Sequence, residues 1–177
     1  MKLIFIHTPK CGGSYVSQIL SDLNITNRGH NQADINNNGE INFTIIRHPV
    51  ERFESLLNYR LQDAEPRDDW PKHLNYVYSS SNMDLNTIID KMSDNNITGF
   101  WPYNSLTYWG KNIDVFLLID QLQSFLNLHG YTYDTNKYNK INVSTKIRGT
   151  LNDKNKERIA KLYSSDMELF NLHSNNK

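Results

Sequence analysis

Apolar residues alternate along the chain between short continuous runs and helical spacing. Leu3 to His7 is a short apolar run that stops at Thr8-Pro9, the pattern of a strand buried on both faces of a parallel sheet. Gly12-Gly13 opens a helix in which Tyr15, Val16, Ile19, Leu20 and Leu23 share one face. Asn24 to Glu40 is polar, rich in asparagine, and holds Gly29 and Gly39. It reads as a connection with a short strand near His30 and asparagines as loop filler. Ile41 to Arg47 is a second buried strand, and Pro49 suits the first turn of a helix carrying Phe53, Leu56, Leu57 and Leu61. Asp63 to Pro71 is charged, contains two prolines and ends that helix, which predicts a surface excursion or lid rather than a domain boundary. Tyr76 to Trp109 predicts one or two aromatic-rich helices, Val115 to Ile119 a third core strand, and Gln121 to Leu128 a short helix. Asn139 to Gly149 reads as loop. Asn152 to His173 predicts a final helix with a polar, capping start and Ile159, Leu162, Tyr163, Met167 and Phe170 on one face. Strands alternating with helices predict an α/β fold of three layers, a central, mainly parallel sheet flanked by helices.

Length and charge narrow the classes. A chain of 177 residues without internal repeat or long linker is expected to form one domain over 1-177, burying about two-thirds of its unfolded surface. Lys plus Arg and Asp plus Glu are equal at 19 each, so no overall field draws nucleic acid or an anionic membrane, and an anion site must be local. The single Cys11 excludes an internal disulfide framework and a multi-cysteine metal site, and fits a reducing compartment. No apolar run approaches the ~20 residues that span a bilayer. Lys2 precedes a short apolar run that goes straight into Pro9-Lys10, unlike a secretory signal, so a soluble cytoplasmic protein is expected.

The chemistry concentrates in two segments. Backbone N–H groups at a helix start are unsatisfied and partly positive, so a turn that admits an anion to them is a binding site. Pro9-Lys10-Cys11-Gly12-Gly13-Ser14 supplies that turn: the glycines clear the approach, Lys10 adds a mobile charge and Ser14 a hydroxyl donor. It differs from the nucleoside-triphosphate loop G-x-x-x-x-G-K-[ST], because here the lysine precedes both glycines. The second segment is Ile45-Ile46-Arg47-His48-Pro49-Val50-Glu51-Arg52-Phe53-Glu54-Ser55. There Arg47 leaves a strand end and Ser55 lies about two turns into the next helix, an arginine fork and a hydroxyl suited to a second phosphate. Taken singly, Arg47 reads as a surface ion pair and Ser55 as an ordinary helix position.

Together the two segments resemble the nucleotide motifs of the sulfotransferase family, whose members use 3′-phosphoadenosine 5′-phosphosulfate (PAPS) as donor. His7 to Ser14 is similar to the family's 5′-phosphosulfate loop, and Arg47 through Ser55, with Pro49, Arg52 and Phe53 between, to its 3′-phosphate motif. Weaker likeness to the carbohydrate sulfotransferase branch runs through Trp101-Pro102, the Asn142-x-Ser144 loop and the last helix with Tyr163, Asp166 and Phe170. Gln62 to Asn96 carries none of it. The resemblance implies a P-loop-like fold and a donor site formed by Thr8, Pro9, Lys10, Cys11, Gly12, Gly13, Ser14, Tyr15, Arg47 and Ser55. It also implies a closing loop contributing Lys146, with Arg148 beside it, whose other reading is a solvated basic loop.

Sulfonate transfer needs acceptor oxygen, sulfur and leaving oxygen in line, with charge growing on the leaving phosphate. Lys10 and the helix start are suited to that charge without a metal, and no metal-ligand cluster is expected among the six histidines. The acceptor hydroxyl needs a base. His30 leads, because an imidazole titrates near neutrality and because related carbohydrate sulfotransferases carry a histidine base between the two motifs; Glu51, Glu54 and His48 are the other candidates. Tyr76, Tyr78, Trp101, Tyr103, Tyr108 and Trp109 are either a stacking wall for a carbohydrate or other flat acceptor, or core. The expected partners are thus the nucleotide donor and a hydroxyl-bearing acceptor, with no nucleic acid and no membrane span. Two other functions share the anion turn: a magnesium-dependent, kinase-like phosphotransferase and a non-catalytic nucleotide-binding module.

Overall fold

A computed structural model describes residues 2–34, 39–61, 83–99, 105–138 and 149–175. They divide into two compact units: Met1–Arg47 with Leu106–Val143 and Glu168–Lys177, and His48–Ser105 with Ser144–Met167.

The first unit is built on a four-stranded, all-parallel sheet of β1 (Lys2–Phe5), β2 (Thr26–Asn27), β3 (Glu40–Ile45) and β4 (Val115–Leu117), in the order β2-β1-β3-β4. The expected α/β class with a parallel sheet flanked by helices is what forms. Leu3 pairs with Ile41 and Phe5 with Phe43 between the central strands, and Ile45 pairs with Leu117 at the β3–β4 seam. Period-two alternation splits these side chains between two clusters. Leu3, Phe5, Phe43 and Ile45 join Val16, Ile19 and Leu20 of α1 (Gly13–Asp22) and Leu122 and Leu126 of α6 (Leu122–Leu128), while Ile4 and Ile6 pack with Ala33. The short strand expected near His30 lies a few residues earlier, as β2. There Asn27 and Gly29 continue the pairing through Arg28 N–H to the Phe5 carbonyl (3.0 Å) and His7 N–H to the Gly29 carbonyl (2.9 Å).

Of the asparagines in that connection, Asn27 and Asn31 are not filler. The Asn27 side-chain oxygen accepts the Gly29 N–H at 2.8 Å, which supports the left-handed turn that Gly29 (φ 62°) makes at little steric cost. The Asn31 amide donates to the Arg28 carbonyl, Asn112 to the Ala33 carbonyl and buried Asn42 to the Asp34 carbonyl, tying residues 28–34 to the sheet.

The second unit holds α2 (Pro49–Arg60), α3 (Leu85–Lys91), α4 (Asp94–Thr98) and α7 (Asp153–Leu162) around Phe53, Leu56, Leu57, Ile88, Ile89 and Ile159. Pro49 stands in the first turn of α2, where its missing N–H costs nothing. Arg52 is fully buried and paired with Asp166 at 3.9 Å, and Tyr163 donates to the Ile97 carbonyl at 2.9 Å. The residues expected to form one or two long helices up to Trp109 instead contain, among those described, α3, α4 and, in the first unit, α5 (Leu106–Trp109). Side chains of Asp84 and Ser93 cap the first two, so polar caps break the run. The final helix is also two, α7 and α8 (Ser164–Ser174), with Tyr163 between them leaving helical geometry at φ −110°, ψ 37°. Asn152 caps α7 as the sequence suggests, accepting the Asn155 N–H at 2.9 Å. The expected apolar face is divided by that break: Ile159 and Tyr163 belong to the second unit's core, Phe170 to the first unit's. The lid residues 63–71 lie outside the described residues. No helix among the described residues is long and apolar enough to cross a membrane.

Candidate functional site

The strand order locates the crevice. From β1 the chain crosses to β2 on one side and then to β3 on the other, so the β1–β3 seam is the point where connections diverge and the carboxyl ends of a parallel sheet leave a cleft. Three segments leave the carboxyl ends of adjacent strands within the first unit: the turn at 8–14 after β1, residues 28–34 after β2, and Arg47 after β3.

The turn after β1 is held from within. Thr44 donates its hydroxyl to the Ile6 carbonyl at 2.7 Å, and the buried Thr8 hydroxyl then donates to Thr44 at 2.8 Å, so the Thr8 side chain serves the fold and leaves only its backbone for a ligand. Pro9 and Cys11 are buried, and the Cys11 thiol reaches the Pro9 carbonyl at 3.6 Å. Lys10 (φ 62°) and Gly12 (φ 86°) both adopt left-handed backbone conformations. Glycine does so freely, whereas a lysine there costs roughly 1–2 kcal/mol, a strain of the kind that collects at functional turns. Gly12 is the cap residue of α1 and, having no side chain, makes no side-chain cap hydrogen bond of its own, so the backbone N–H groups of the helix start are the donors an anion would meet there. Ser14 is exposed in the first turn and Tyr15 half-buried against the core.

His30 stands beside this turn. Its Nδ1 lies 2.8 Å from the His7 carbonyl, its ring centroid 4.1 Å from that of His7 at 35°, and 6.2 Å from that of Trp109, edge-on. Half-buried His7 covers the start of α1: a Cβ on Gly13 would fall 1.9 Å from its ring, so any larger residue there would force the imidazole to move. Burial first, then His30 and Lys10, push the His7 imidazole down to about 4, and it is neutral at physiological pH.

That shift has a stability consequence. Between about pH 4 and 6.5 the unfolded chain takes a proton at this position that the native chain refuses. Stability therefore falls as pH drops through 6.5 and the loss is complete near 4, at most about 3.5 kcal/mol at roughly 1.4 kcal/mol per unit, less on the ring's open side where solvent screens it. Urea unfolding at pH 7 and 4.5 is expected to show a smaller acid loss in His7→Phe than in the parent. Equal losses would remove His7 as the source.

No protein-family model matches the chain, and no curated protein matches it.

Of the other expected site residues, Arg47 is half-buried in the first unit, and Ser55 lies half-buried on α2 in the second. Lys146 and Arg148 lie outside the described residues. Among the alternative bases, Glu54 accepts the Leu151 N–H at 3.0 Å and Glu51 is exposed in the first turn of α2, where its charge complements the helix dipole. His48 is half-buried as the residue preceding α2. Of the aromatic wall, Trp109 is core at 4% exposure and Tyr108 exposed, the pair meeting edge-on at 5.3 Å; Tyr76, Tyr78, Trp101 and Tyr103 lie outside the described residues. Thr44 had no local signal and matters only because β3 lies beside β1; His7 stands at the head of the phosphosulfate-like loop, but its contacts with Gly13 and His30 emerge only in the fold.

Proposed function

We propose that the chain is a sulfotransferase that moves a sulfonate group from PAPS to an acceptor hydroxyl, carried by a carbohydrate in the first instance, in the cytoplasm and without a metal. The observation that carries this reading is the pairing, at the carboxyl edge of one parallel sheet, of a glycine-capped helix start behind the left-handed turn at Lys10 and Gly12 with an imidazole braced against the His7 carbonyl beside it. The helix start and Lys10 suit the 5′-phosphosulfate, and Arg47, leaving the neighbouring strand, suits the 3′-phosphate.

In the proposed step His30 takes the acceptor's hydroxyl proton as that oxygen bonds to sulfur. The bond from sulfur to the phosphate oxygen breaks, its electron pair stays on the phosphate, and Lys10 with the α1 N–H groups offsets the charge that grows there. The peptide dipoles of the helix start are fixed before reaction, so no reorganisation opposes them.

Thermal unfolding tests the donor. At about 100 times its Kd, 3′-phosphoadenosine 5′-phosphate is expected to add about 2.7 kcal/mol of stability. For a chain of this size that raises Tm by roughly 5 to 10 °C. ATP with magnesium is expected to shift it much less. Equal shifts would favour the phosphotransferase reading instead, since the discrimination rests on the 3′-phosphate.

A further inference from the structure

A base on an exposed loop is aimed only as well as the groups that hold it. His30 is exposed, yet its ring has two fixed contacts with one residue. A carbonyl can only accept, so at 2.8 Å from the His7 carbonyl Nδ1 must carry the proton, which leaves Nε2 as the bare nitrogen of the neutral ring. No hydrogen bond engages Nε2 among the described residues. The His7 ring lies against the same imidazole at 4.1 Å, and is held in turn by the missing side chain of Gly13 and by Phe5 at 6.0 Å, nearly parallel. The His7 N–H to the Gly29 carbonyl fixes the backbone one residue before His30.

We propose that His7 is the positioning residue for His30: its carbonyl selects the tautomer with Nε2 free to accept a proton, and its ring sets the imidazole against the start of α1. This rests on the reading of His30 as the base of sulfonate transfer. Among the described residues the charged or titratable groups felt at the His7 ring are His30 and Lys10, and because burial keeps His7 neutral, the pair carries one positive charge rather than two when His30 takes its proton. The ring contact makes Gly13 a steric requirement of the base as well as of the anion. A methyl there displaces the His7 ring, and with it the face on which His30 rests.

The test uses the full chain with His7→Ala, His7→Leu and His7→Phe, following kcat, donor KM and the side-chain ¹⁵N resonances of His30. His7→Ala and His7→Leu are expected to lower kcat roughly 10- to 100-fold, the scale of a misaimed catalytic group, with donor KM unchanged. His7→Phe, which restores a flat ring, is expected to recover most of the loss. In the parent, His30 Nε2 is expected to be the unprotonated nitrogen; the carbonyl that sets this is backbone and remains in His7→Ala, so the same tautomer is expected to predominate there while the imidazole loses the ring contact that orients it. Full kcat in His7→Ala and His7→Leu overturns the proposal, as does a parent whose Nε2 carries the proton. A merely structural role would appear as a loss that Phe does not rescue and that donor KM shares. Absence of any sulfonate transfer in the parent defeats the proposed reaction instead, and the ¹⁵N spectra still decide whether His7 sets the tautomer and orientation of His30.

Discussion

Replacing Lys10 by glycine is expected to lower kcat roughly 10²- to 10³-fold, the scale seen when one group stabilising transition-state charge is removed, while the fold keeps its stability to within about 1 kcal/mol. The two effects separate because Lys10 combines an unfavourable backbone with a useful charge. At φ 62° it occupies a conformation that glycine reaches without strain, so the substitution relieves native-state cost. Added freedom of the unfolded chain offsets that gain by roughly 0.4–1 kcal/mol. Lys10→Ala keeps the backbone strain and loses the same charge, so the two variants are expected to share the turnover defect and to differ in stability, with glycine the more stable. Chemical denaturation and steady-state kinetics on both variants check this. A Lys10→Gly chain with parental kcat would remove the lysine from the reaction and leave its backbone without a functional reason. A large stability loss in Lys10→Gly would mean that the lysine side chain holds the turn together.

Much of the fold was legible because its signals are local. The continuous runs at Leu3 and Ile41 can be satisfied only by a strand covered on both faces, and β1 and β3 form at those places. The α1 face read from Val16, Ile19 and Leu20 is the face that packs on the sheet. The breaks were harder. Tyr163 interrupts the last helix, and its hydroxyl bond to Ile97 is formed by residues 66 apart, which no helical periodicity can express. The same limit governs the site. Lys10, Gly12 and Gly13 announce an anion turn within five residues, but the partners that shape it come from Thr44 and from the segment after β2. Asn27 and Asn31, read as filler, differ from real filler only through the N–H group and carbonyl they meet. Sequence spacing therefore reveals which groups are available at a sheet edge, and pairing between strands decides which of them face one another.

His30→Ala is expected to lower kcat by roughly 10²- to 10⁴-fold, the range for a positioned general base, with the Tm shift from 3′-phosphoadenosine 5′-phosphate retained. Retention follows from the geometry: the contacts of His30 are to the His7 carbonyl and ring and to Trp109, whereas the anion turn is held by Thr8, Thr44 and the start of α1. Removing the imidazole therefore leaves the turn intact and takes away the proton acceptor alone. Glu54 offers a built-in contrast, because its carboxylate receives the Leu151 N–H and Glu54→Gln can keep an acceptor oxygen for that bond. If Glu54 were the base, Glu54→Gln would show the large kcat loss and His30→Ala would not. The opposite outcome is expected, because His30 Nε2 is bare while the Glu54 carboxylate already supports a neighbouring backbone. Parental turnover in His30→Ala, with the nucleotide shift intact, would reject the imidazole as base while preserving the donor site, so the two halves of the proposal are tested apart.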